Sequence, residues 1–357
     1  MGTSTEAVRR FPGGPEDITA DWVTSVLTEA YPDVVVTRLD HGEVLGGTAT
    51  KVRLLLDYNP AGHRLGLPAT MWAKAGFGGH ELAAAMLAFY QGEVEFYRDT
   101  AGSLDLGLPR CHYAGLDPDG GEALVLLEDL LARNAIFCAA GDTATPDLAA
   151  GVLDFLARLH ARTWAADPDT GPALYPGALG PVLRHVLGDE HWTKSVAKPR
   201  GRHLLEPLRE PATMRRAIEA LWSWDAAHAV CRVHGDAHLG NTYLDRDGSP
   251  GLVDWQMTGL GHWAFDVGYF IANALAPADR RATERDLVSH YLERLGEHGG
   301  RPPAFEDAWD AYRRHMVHGL FHTANADEMY PEDVNCTVIE RHSIATRELD
   351  TLELLLG

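Results

Sequence analysis

The sequence predicts an α+β protein in which a small antiparallel β-sheet lobe precedes a larger, mainly helical lobe. Strand-like segments dominate the first third of the chain and end with a buried strand at 123–127. Beyond Leu131, apolar residues recur at helical spacing instead. The length of 357 residues also suits two domains. We therefore expect an N-terminal lobe over 1–127, a hinge over 128–131 and a C-terminal lobe over 132–357.

The first elements are a helix, a hairpin and a strand. The segment DITADWVTSVLTEAY predicts a short amphipathic helix with Thr19 as its N-cap. The segment LDHGEVLGGTATKVRLLLDY predicts a hairpin with Gly46 and Gly47 at its tip. In the following strand, ATMWAK, the side chains of Trp72 and Lys74 share one face because side chains alternate along a strand.

A helix is predicted from about Glu81 to Thr100. One of its stripes contains Glu93 among apolar and aromatic residues, and a glutamate is out of place on a simple core face. We therefore expect Glu93 to point inward. The other members of this stripe are Leu82, Met86, Tyr90 and Tyr97.

The second lobe begins with a long helix, DLAAGVLDFLARLHARTW, whose broad apolar face suits a central position. The region 168–211 is rich in Pro, Gly and His and predicts insertions with short helices. Two short apolar strands, AVCRVH and GLVDW, each end in a polar cluster. The chain beyond Asp279 is predicted to be helical.

Composition excludes several classes of protein. A formal net charge of -20 repels nucleic acid and anionic lipid surfaces, so neither is expected as a partner. The N-terminus lacks the apolar core of a signal peptide, and no apolar run is long enough to span a membrane. The four cysteines form no CxxC pair, which disfavours a disulfide framework or a zinc site. We expect a cytoplasmic protein, and the sequence does not indicate its oligomeric state.

The stretch CRVHGDAHLGNTYLD is the most informative. An apolar strand runs into His234, Gly235 and Asp236, and Asn241 lies five residues after the aspartate. This D-x-x-x-x-N spacing is found in kinase catalytic loops. A carboxylate there can accept a hydroxyl proton, and a neutral amide can bind a metal ion without adding negative charge beside phosphates.

A second acidic residue, Asp254, ends the strand of GLVDWQMTG, eighteen residues beyond Asp236. That distance suits a tight hairpin that brings Asp254 beside Asn241, and two such oxygen ligands are typical of a magnesium site. Asp266 follows in the aromatic segment HWAFDVGYF. A buried carboxylate needs partners, and the backbone N–H groups of the loop near Asp236 are good candidates.

These motifs resemble the aminoglycoside phosphotransferase and choline kinase-like superfamily, and the form Val-Asp-Trp-Gln looks most like its ecdysteroid kinase-like branch. The resemblance covers most of the chain and implies a two-lobed protein kinase-like fold with ATP and Mg²⁺ as cofactors. By similarity, Asp236 would be the catalytic base, and Asn241 and Asp254 would be the magnesium ligands. Asp266 and His234 would support the loop.

The resemblance also gives roles to the N-terminal lobe as the nucleotide-binding lobe. Lys74 would contact the α- and β-phosphates, with Glu93 as its ion-pair partner. The tip Gly46-Gly47-Thr48 would cover the phosphates, although it lacks a full G-x-G-x-x-G. Backbone groups at the hinge, from Glu128 to Leu130, would bind the adenine edge.

Two other interpretations use the same residues. His234, Asp236 and His238 have the spacing of a hydrolase metal cluster, but Gly235 and Gly240 favour a loop over the extended strand that such a cluster needs. A catalytically dead kinase fold acting as a binding module is a further alternative. It is disfavoured because every expected catalytic position is filled. His238 itself could be a surface residue or a substrate contact.

The expected activity is transfer of the γ-phosphoryl group to a hydroxyl of a small molecule. That molecule could be an antibiotic, aminoglycoside-like or another hydroxylated natural product, or a metabolic alcohol or choline-like amino alcohol. Four acidic residues could bind a cationic acceptor, and three tryptophans could instead line a pocket for a bulky apolar one. The acidic residues are Glu306, Asp307, Asp327 and Glu328, and the tryptophans are Trp192, Trp255 and Trp263.

Overall fold

The computed structural model describes residues 11–77, 83–117, 122–164, 179–327 and 329–357. The chain divides into two compact units, Met1–Ala135, here called the sheet unit, and Ile136–Gly357, here called the helical unit. The hinge predicted over 128–131 stays a prediction.

The sheet unit contains five antiparallel strands. They are β1 (Val36–Leu45), β2 (Thr50–Tyr58), β3 (Thr70–Ala75), β4 (Cys111–Leu116) and β5 (Ala123–Glu128). They pair in the spatial order β1-β2-β3-β5-β4, so β3 is central. The hairpin of β1 and β2 turns through residues 46–49, which places Gly46 and Gly47 in the turn as predicted. Strand β4 is not predicted by its sequence.

Four helices accompany this sheet. They are α1 (Ala20–Leu27), α2 (Pro60–Arg64), α3 (Ala83–Glu95) and α4 (Ala101–Leu104), and a π-helical turn, Phe96–Thr100, joins the last two. The hydroxyl of Thr19 accepts from the amide of Trp22, which confirms the predicted N-cap. Helix α1 buries Trp22 and Val23 against a core that includes Leu54, Met71 and Leu126. The predicted start of the next helix, at Glu81 and Leu82, lies outside the described residues.

The helical unit holds the remaining α-helices. They are α5 (Pro146–Arg162), α6 (Leu179–Val186), α7 (Asp189–Val196), α8 (Pro211–His228), α9 (Ala264–Ala274), α10 (Pro277–Glu297), α11 (Phe305–Arg314), α12 (Glu332–Glu348) and α13 (Thr351–Leu356). Proline occupies the first position of α5, α8 and α10, where a missing N–H does no harm. Every residue of α9 is buried, which makes it the core helix of the unit. The predicted fold class is confirmed: an antiparallel sheet unit is followed by a mainly helical unit.

Five short strands lie in two small sheets of the helical unit. They are β6 (Ile136–Phe137), β7 (Cys231–Val233), β8 (Thr242–Leu244), β9 (Pro250–Leu252) and β10 (Gly259–Gly261). Strand β8 pairs with β6 and β9, whereas β7 pairs with β10. The two predicted strands, AVCRVH and GLVDW, therefore belong to different sheets. The hairpin partner of β9 is β8, and its turn passes through Gly248 in a left-handed conformation, φ 84°.

Two further sequence expectations can be compared with the fold. No helix in the described ranges is long and apolar enough to cross a membrane. Cys111, Cys138, Cys231 and Cys336 are free cysteines.

Candidate functional site

The loop after β7 is fixed by the buried carboxylate of Asp266, in the first turn of α9. Its Oδ2 accepts from the amide of His234 at 2.7 Å, and its Oδ1 accepts from the amide of Gly235 at 2.9 Å. Gly235 has φ 84°, and a Cβ there would lie 2.0 Å from the carbonyl oxygen of Met257. Only glycine fits this turn, and the turn aims two successive amides at one carboxylate.

The Asp266 carboxylate is itself held by a buried chain of hydrogen bonds. Its Oδ2 lies 3.1 Å from His160 Nε2, and His160 Nδ1 lies 2.8 Å from the hydroxyl of Tyr291. Because a carboxylate accepts, the ring proton lies on Nε2 and points at Asp266, and Nδ1 of the neutral ring accepts from the tyrosine O–H. The sequence indicates only that His160 lies in a long structural helix. No local sequence pattern connects it with Asp266.

The imidazole of His234 connects the loop with the strand that carries Asp254. Its Nδ1 accepts from the amide of Asp236 at 3.2 Å, and its Nε2 donates to the carbonyl of Val253 at 3.1 Å. Burial lowers the pKa of His234, which keeps the ring neutral and preserves this donor and acceptor pattern. The ring of Trp255 packs against it with centroids 4.5 Å apart.

Asn241 lies directly beside Asp236. Its Nδ2 donates to the backbone carbonyl of Asp236 at 2.9 Å and to Oδ2 of the same residue at 3.0 Å. Both amide hydrogens are therefore directed at Asp236, which leaves the carbonyl oxygen of the side chain to face elsewhere. The Asn241 carbonyl of the main chain accepts from the amide of Val253 at 2.9 Å.

Asp254 follows this contact immediately and has a left-handed backbone, φ 68° and ψ 68°. A residue other than glycine seldom adopts that conformation, and such strain is common where a side chain must be aimed. The charge of Asp254 acts on Asp236 and raises its pKa, so the two carboxylates are within electrostatic range. The structure thus brings Asp236, Asn241 and Asp254 together.

His238 lies beside Asp236 and lowers the pKa of its carboxylate. Its Nδ1 accepts from the amide of Gly240 at 3.0 Å, so the proton of the neutral ring lies on Nε2, 3.6 Å from Asp236 Oδ2. Burial works to raise the pKa of Asp236, but the neighbouring imidazole of His238 lowers it by more, and the pKa lies below its usual value. Asp236 is therefore a carboxylate at neutral pH.

The sheet unit contributes a buried ion pair. Lys74 Nζ lies 2.7 Å from Glu93 Oε2, and the side chains are only 5% and 3% exposed. Lys74 is in the central strand, opposite Lys51 on one side and Val125 on the other. A buried lysine without a carboxylate would carry a large desolvation penalty, which explains why the helix places a glutamate inward.

The hairpin tip is attached to the same helix. The hydroxyl of Tyr90 donates to the carbonyl of Thr48. Gly46 and Gly47 are exposed, whereas Thr48 is half-buried. Gly76 leaves room for the tyrosine, since a Cβ there would lie 2.4 Å from the ring.

Some of the groups predicted to contact adenine, at the end of β5, already have other partners. The amide of Glu128 already donates to the carbonyl of Arg110 at 2.8 Å, and its carboxylate pairs with Arg133 at 3.1 Å. Leu130 is buried and opens a short 3₁₀ helix. The next acidic residue, Asp129, accepts from Arg53 and Trp72 and is a structural residue that no sequence motif reveals.

With the geometry established, comparison with known proteins becomes informative. The sequence model described as the phosphotransferase enzyme family, APH, matches residues 87–315, well over half of the chain.

The chain belongs to this phosphotransferase family.

The match includes Glu93, Asp236, Asn241, Asp254 and Asp266, and it confirms the superfamily that the motifs indicate. It does not distinguish the ecdysteroid kinase-like branch, which stays a prediction.

Solved structures to which this chain is similar include a choline kinase and two phosphotransferases. The choline kinase LicA from Streptococcus pneumoniae is 15% identical, with 87% of this chain and 94% of that chain covered and a TM-score of 0.46. The macrolide 2'-phosphotransferase MphH from Brachybacterium faecium is 17% identical, with 91% and 98% covered and a TM-score of 0.42. The aminoglycoside phosphotransferase APH(4)-Ia is 16% identical, with 90% and 96% covered and a TM-score of 0.44. No curated protein sequence matches the chain.

In this phosphotransferase, the side of Asp236 that carries His238 is lined by phenols and imidazoles. The hydroxyl of Tyr330 lies 3.4 Å from His238 Nε2, and the hydroxyl of Tyr269 lies 3.0 Å from His322 Nε2. Burial lowers the pKa of His322 to about 4 and that of His318 to about 3, so both rings are neutral. Burial and the charges of Asp236 and Asp254 raise the pKa of Tyr330.

Of the acidic residues predicted to bind a cationic acceptor, the three that the structure describes lie on two separate segments. Asp327 pairs with Lys198 at 2.7 Å and with the buried Arg200 at 2.8 Å. Glu306 and Asp307 are exposed in the first turn of α11. Glu328 lies outside the described residues.

The pocket role predicted for the three tryptophans is wrong. Trp192, Trp255 and Trp263 are at most 1% exposed and are core side chains of the helical unit. Trp192 donates to the carbonyl of Leu208, and Trp263 stacks on Tyr291. Composition alone could not separate buried tryptophans from pocket walls.

Proposed function

We propose that this phosphotransferase uses ATP to phosphorylate a hydroxyl of a small molecule, with Asp236 as the group that receives or orients the hydroxyl proton. The observation that carries the proposal is the meeting of Asp236, Asn241 and Asp254 at one loop and hairpin. A D-x-x-x-x-N loop beside a second aspartate is the arrangement that phosphoryl transfer to an alcohol requires.

The residues present fit a magnesium ion. Mg²⁺ prefers oxygen ligands, and Asn241 directs its amide hydrogens at Asp236 so that its carbonyl oxygen can serve a cation. The side-chain carboxylate of Asp254, whose backbone is left-handed, would be the second oxygen ligand. When bound, the ion would neutralise charge on the phosphates.

Lys74 would supply a fixed positive charge for the nucleotide phosphates. Its partner Glu93 keeps the ammonium group in place and charged, since a neighbouring carboxylate favours the protonated form. The adenine edge would be read by backbone groups from Glu128 to Leu130. The amide of Glu128 already donates to Arg110, and the carbonyls of Asp129 and Leu130 already accept from the amides of Ala132 and Ala135.

Asp236 is suited to its role by its environment. His238 keeps it ionised, and Asn241 fixes one of its oxygens by a hydrogen bond at 3.0 Å. A positioned carboxylate can align the acceptor hydroxyl for in-line attack and take its proton as the new bond forms. Positioning and charge compensation then account for most of the catalysis.

The acceptor that these surroundings favour is an alcohol with a flat or apolar surface and at most one positive charge. Neutral imidazoles and phenols line the described side of Asp236, and Asp327 is already paired with two cationic side chains. A polycationic amino sugar needs several unpaired carboxylates, whereas one ammonium group can pack against a phenol such as Tyr330. A choline-like amino alcohol is therefore the second candidate, beside an uncharged hydroxylated antibiotic.

ADP release tests the proposal. Mg²⁺ and ATP are supplied with macrolides, nucleosides, choline-like amino alcohols, sugars and aminoglycosides in turn. We expect an uncharged or singly charged alcohol to stimulate ADP release above the rate without acceptor, and Tyr330→Ala to raise the KM for that alcohol. Stimulation by aminoglycosides alone would contradict the acceptor class. Tight ATP binding without stimulation by any acceptor would favour the alternative of a pseudokinase binding module.

A further inference from the structure

A buried group of three possible metal ligands lies away from the proposed catalytic loop. Asp225 is in the last turn of α8, His262 lies two residues before the start of α9, and His315 opens a 3₁₀ helix, His315–Ala324. One nitrogen or oxygen atom of each lies within 4.8 Å of the others. Among the described residues, no other three His, Cys, Asp or Glu side chains meet in this way.

The hydrogen bonds of His315 leave a lone pair pointing at a carboxylate. Its Nδ1 lies 2.7 Å from the carbonyl of Ala311, which can only accept, so Nδ1 carries a proton. In the neutral ring Nε2 is then an acceptor, and it lies 2.9 Å from Oδ1 of Asp225. Two acceptors at this distance need a cation to hold them together, either an extra proton on the ring or a metal ion.

The second oxygen of Asp225 points to the same need. Asp225 is only 2% exposed, and its Oδ2 meets no hydrogen-bond donor in the described ranges. A buried carboxylate oxygen without a partner is destabilising, and coordination to a cation would satisfy it.

His262 completes the group, and its ring lies parallel to that of His315, with centroids 6.0 Å apart. Its Nδ1 accepts from the amide of Ala264 at 3.2 Å. If Nε2 of His262 bound a metal ion, the ring proton would move to Nδ1, and the hydrogen bond from the amide of Ala264 would be lost. The indole of Trp224 covers both rings, with centroids 4.8 Å from His262 and 5.8 Å from His315.

We propose that Asp225, His262 and His315 bind one divalent transition-metal ion, with Zn²⁺ as the best fit. Two imidazole nitrogens and one carboxylate oxygen suit Zn²⁺ or Co²⁺, whereas Mg²⁺ and Ca²⁺ favour sites made of oxygen alone. The carbonyl of Ala311 would orient the His315 ring, as outer hydrogen bonds do at zinc sites. The ion would join three separate segments, one of which leads in four residues to Asp266.

Titration calorimetry with Zn²⁺ tests this proposal on tag-free full-length protein that has been freed of metal with a chelator. We expect one equivalent to bind, and His262→Gln and Asp225→Asn to weaken it by at least about tenfold. His63→Gln is the matched control, because His63 also faces a carboxylate, Asp57, but on an exposed surface. Asp254→Ala should keep the Zn²⁺ equivalent, which separates this site from the proposed magnesium ligands.

Two results would overturn the proposal. One is the absence of Zn²⁺ binding, which would leave Asp225 and His315 as a hydrogen-bonded pair. The other is an equivalent that the variants at 225 and 262 do not weaken. If those variants fail to fold, the unaltered chain still decides. Co²⁺ should give the absorption of a tetrahedral site, and Zn²⁺ should raise the midpoint of thermal unfolding. Failure of both would reject the site.

Discussion

The two units hold their candidate functional groups in different ways. In the sheet unit, Lys74 forms an ion pair with the carboxylate of Glu93, and both side chains are buried. In the helical unit, Asp236 belongs to a loop whose amides are bonded to Asp266, and Asp266 is bonded in turn to His160. The first arrangement is centred on an ion pair, whereas the second is a chain of hydrogen bonds between three segments. Substitutions in the sheet unit should therefore show whether Lys74 binds nucleotide or only stabilises the fold. Substitutions in the helical unit should distinguish residues that support the loop from residues that take part in the reaction.

The largest expected effect is that of Asp254→Ala. Loss of a charged oxygen ligand should lower Mg²⁺-dependent turnover by at least about 10³-fold, because stabilisation of the phosphate charge would be lost. The fold should persist, since Asp254 is half-buried at a strained position and not in the core. Turnover and circular dichroism should be measured beside Asp247→Asn, an exposed aspartate of the same hairpin. Retained Mg²⁺-dependent activity would move the metal site elsewhere.

The ion pair of the sheet unit should show strong coupling. Lys74→Met alone removes the ammonium group that pairs with the buried Glu93 and should destabilise the protein by about 3–5 kcal/mol. The double variant Lys74→Met with Glu93→Leu should recover most of that stability but not nucleotide affinity. Urea unfolding and ATP titration measure the two effects. A double variant that recovers ATP affinity would show that Lys74 has only a structural role.

In the hydrogen-bond network of the helical unit, removal of the Asp266 carboxylate should mainly lower the free energy of unfolding. Asp266→Ala leaves the amides of His234 and Gly235 and the imidazole of His160 without their acceptor. Each unsatisfied donor costs about 1–3 kcal/mol. The unfolding midpoint in urea should fall accordingly, whereas Asp247→Asn should leave it unchanged. A midpoint equal to that of the unaltered chain would mean that the loop does not depend on Asp266.

The last expected effect is a dependence of stability on pH. Burial lowers the pKa of His318 and His342 to about 3 and that of His322 to about 4. Below about pH 6.5 the unfolded chain binds protons that the folded chain refuses, so stability falls as the pH drops from there towards 4.

Urea unfolding between about pH 7.5 and about pH 5 measures this slope, which should reach about 1.4 kcal/mol per pH unit for each histidine. His322→Gln should reduce the slope, and His63→Gln should not, because His63 is exposed. A stability that stays constant over this range would show that the buried rings accept protons without cost.

The sequence predicted contacts between residues that are close together along the chain, and it missed contacts between distant segments. Helical periodicity placed Glu93 inward, and the short spacing from Asp236 to Asn241 and Asp254 matched one loop and one hairpin. Contacts between distant segments left no local pattern. His160 reaches Asp266 across 106 positions, and Asp225 reaches His315 across 90.

Burial was the other source of error. Tryptophan is common both in cores and at pocket walls, so composition could not show that Trp192 and Trp263 are buried. Strand β8 was missed because only three residues pair on each side, too few for alternation to be visible.

The account depends most on Asp236, and transfer of a labelled γ-phosphoryl group tests it directly. ATP with an ¹⁸O-labelled γ-phosphate is incubated with Mg²⁺, the protein and the best acceptor, and the acceptor is analysed by mass spectrometry. The account predicts a labelled phosphate ester from the unaltered chain, and about 10²- to 10⁴-fold slower formation by Asp236→Asn with nucleotide affinity nearly unchanged. Product formed by Asp236→Asn at the unaltered rate would contradict it.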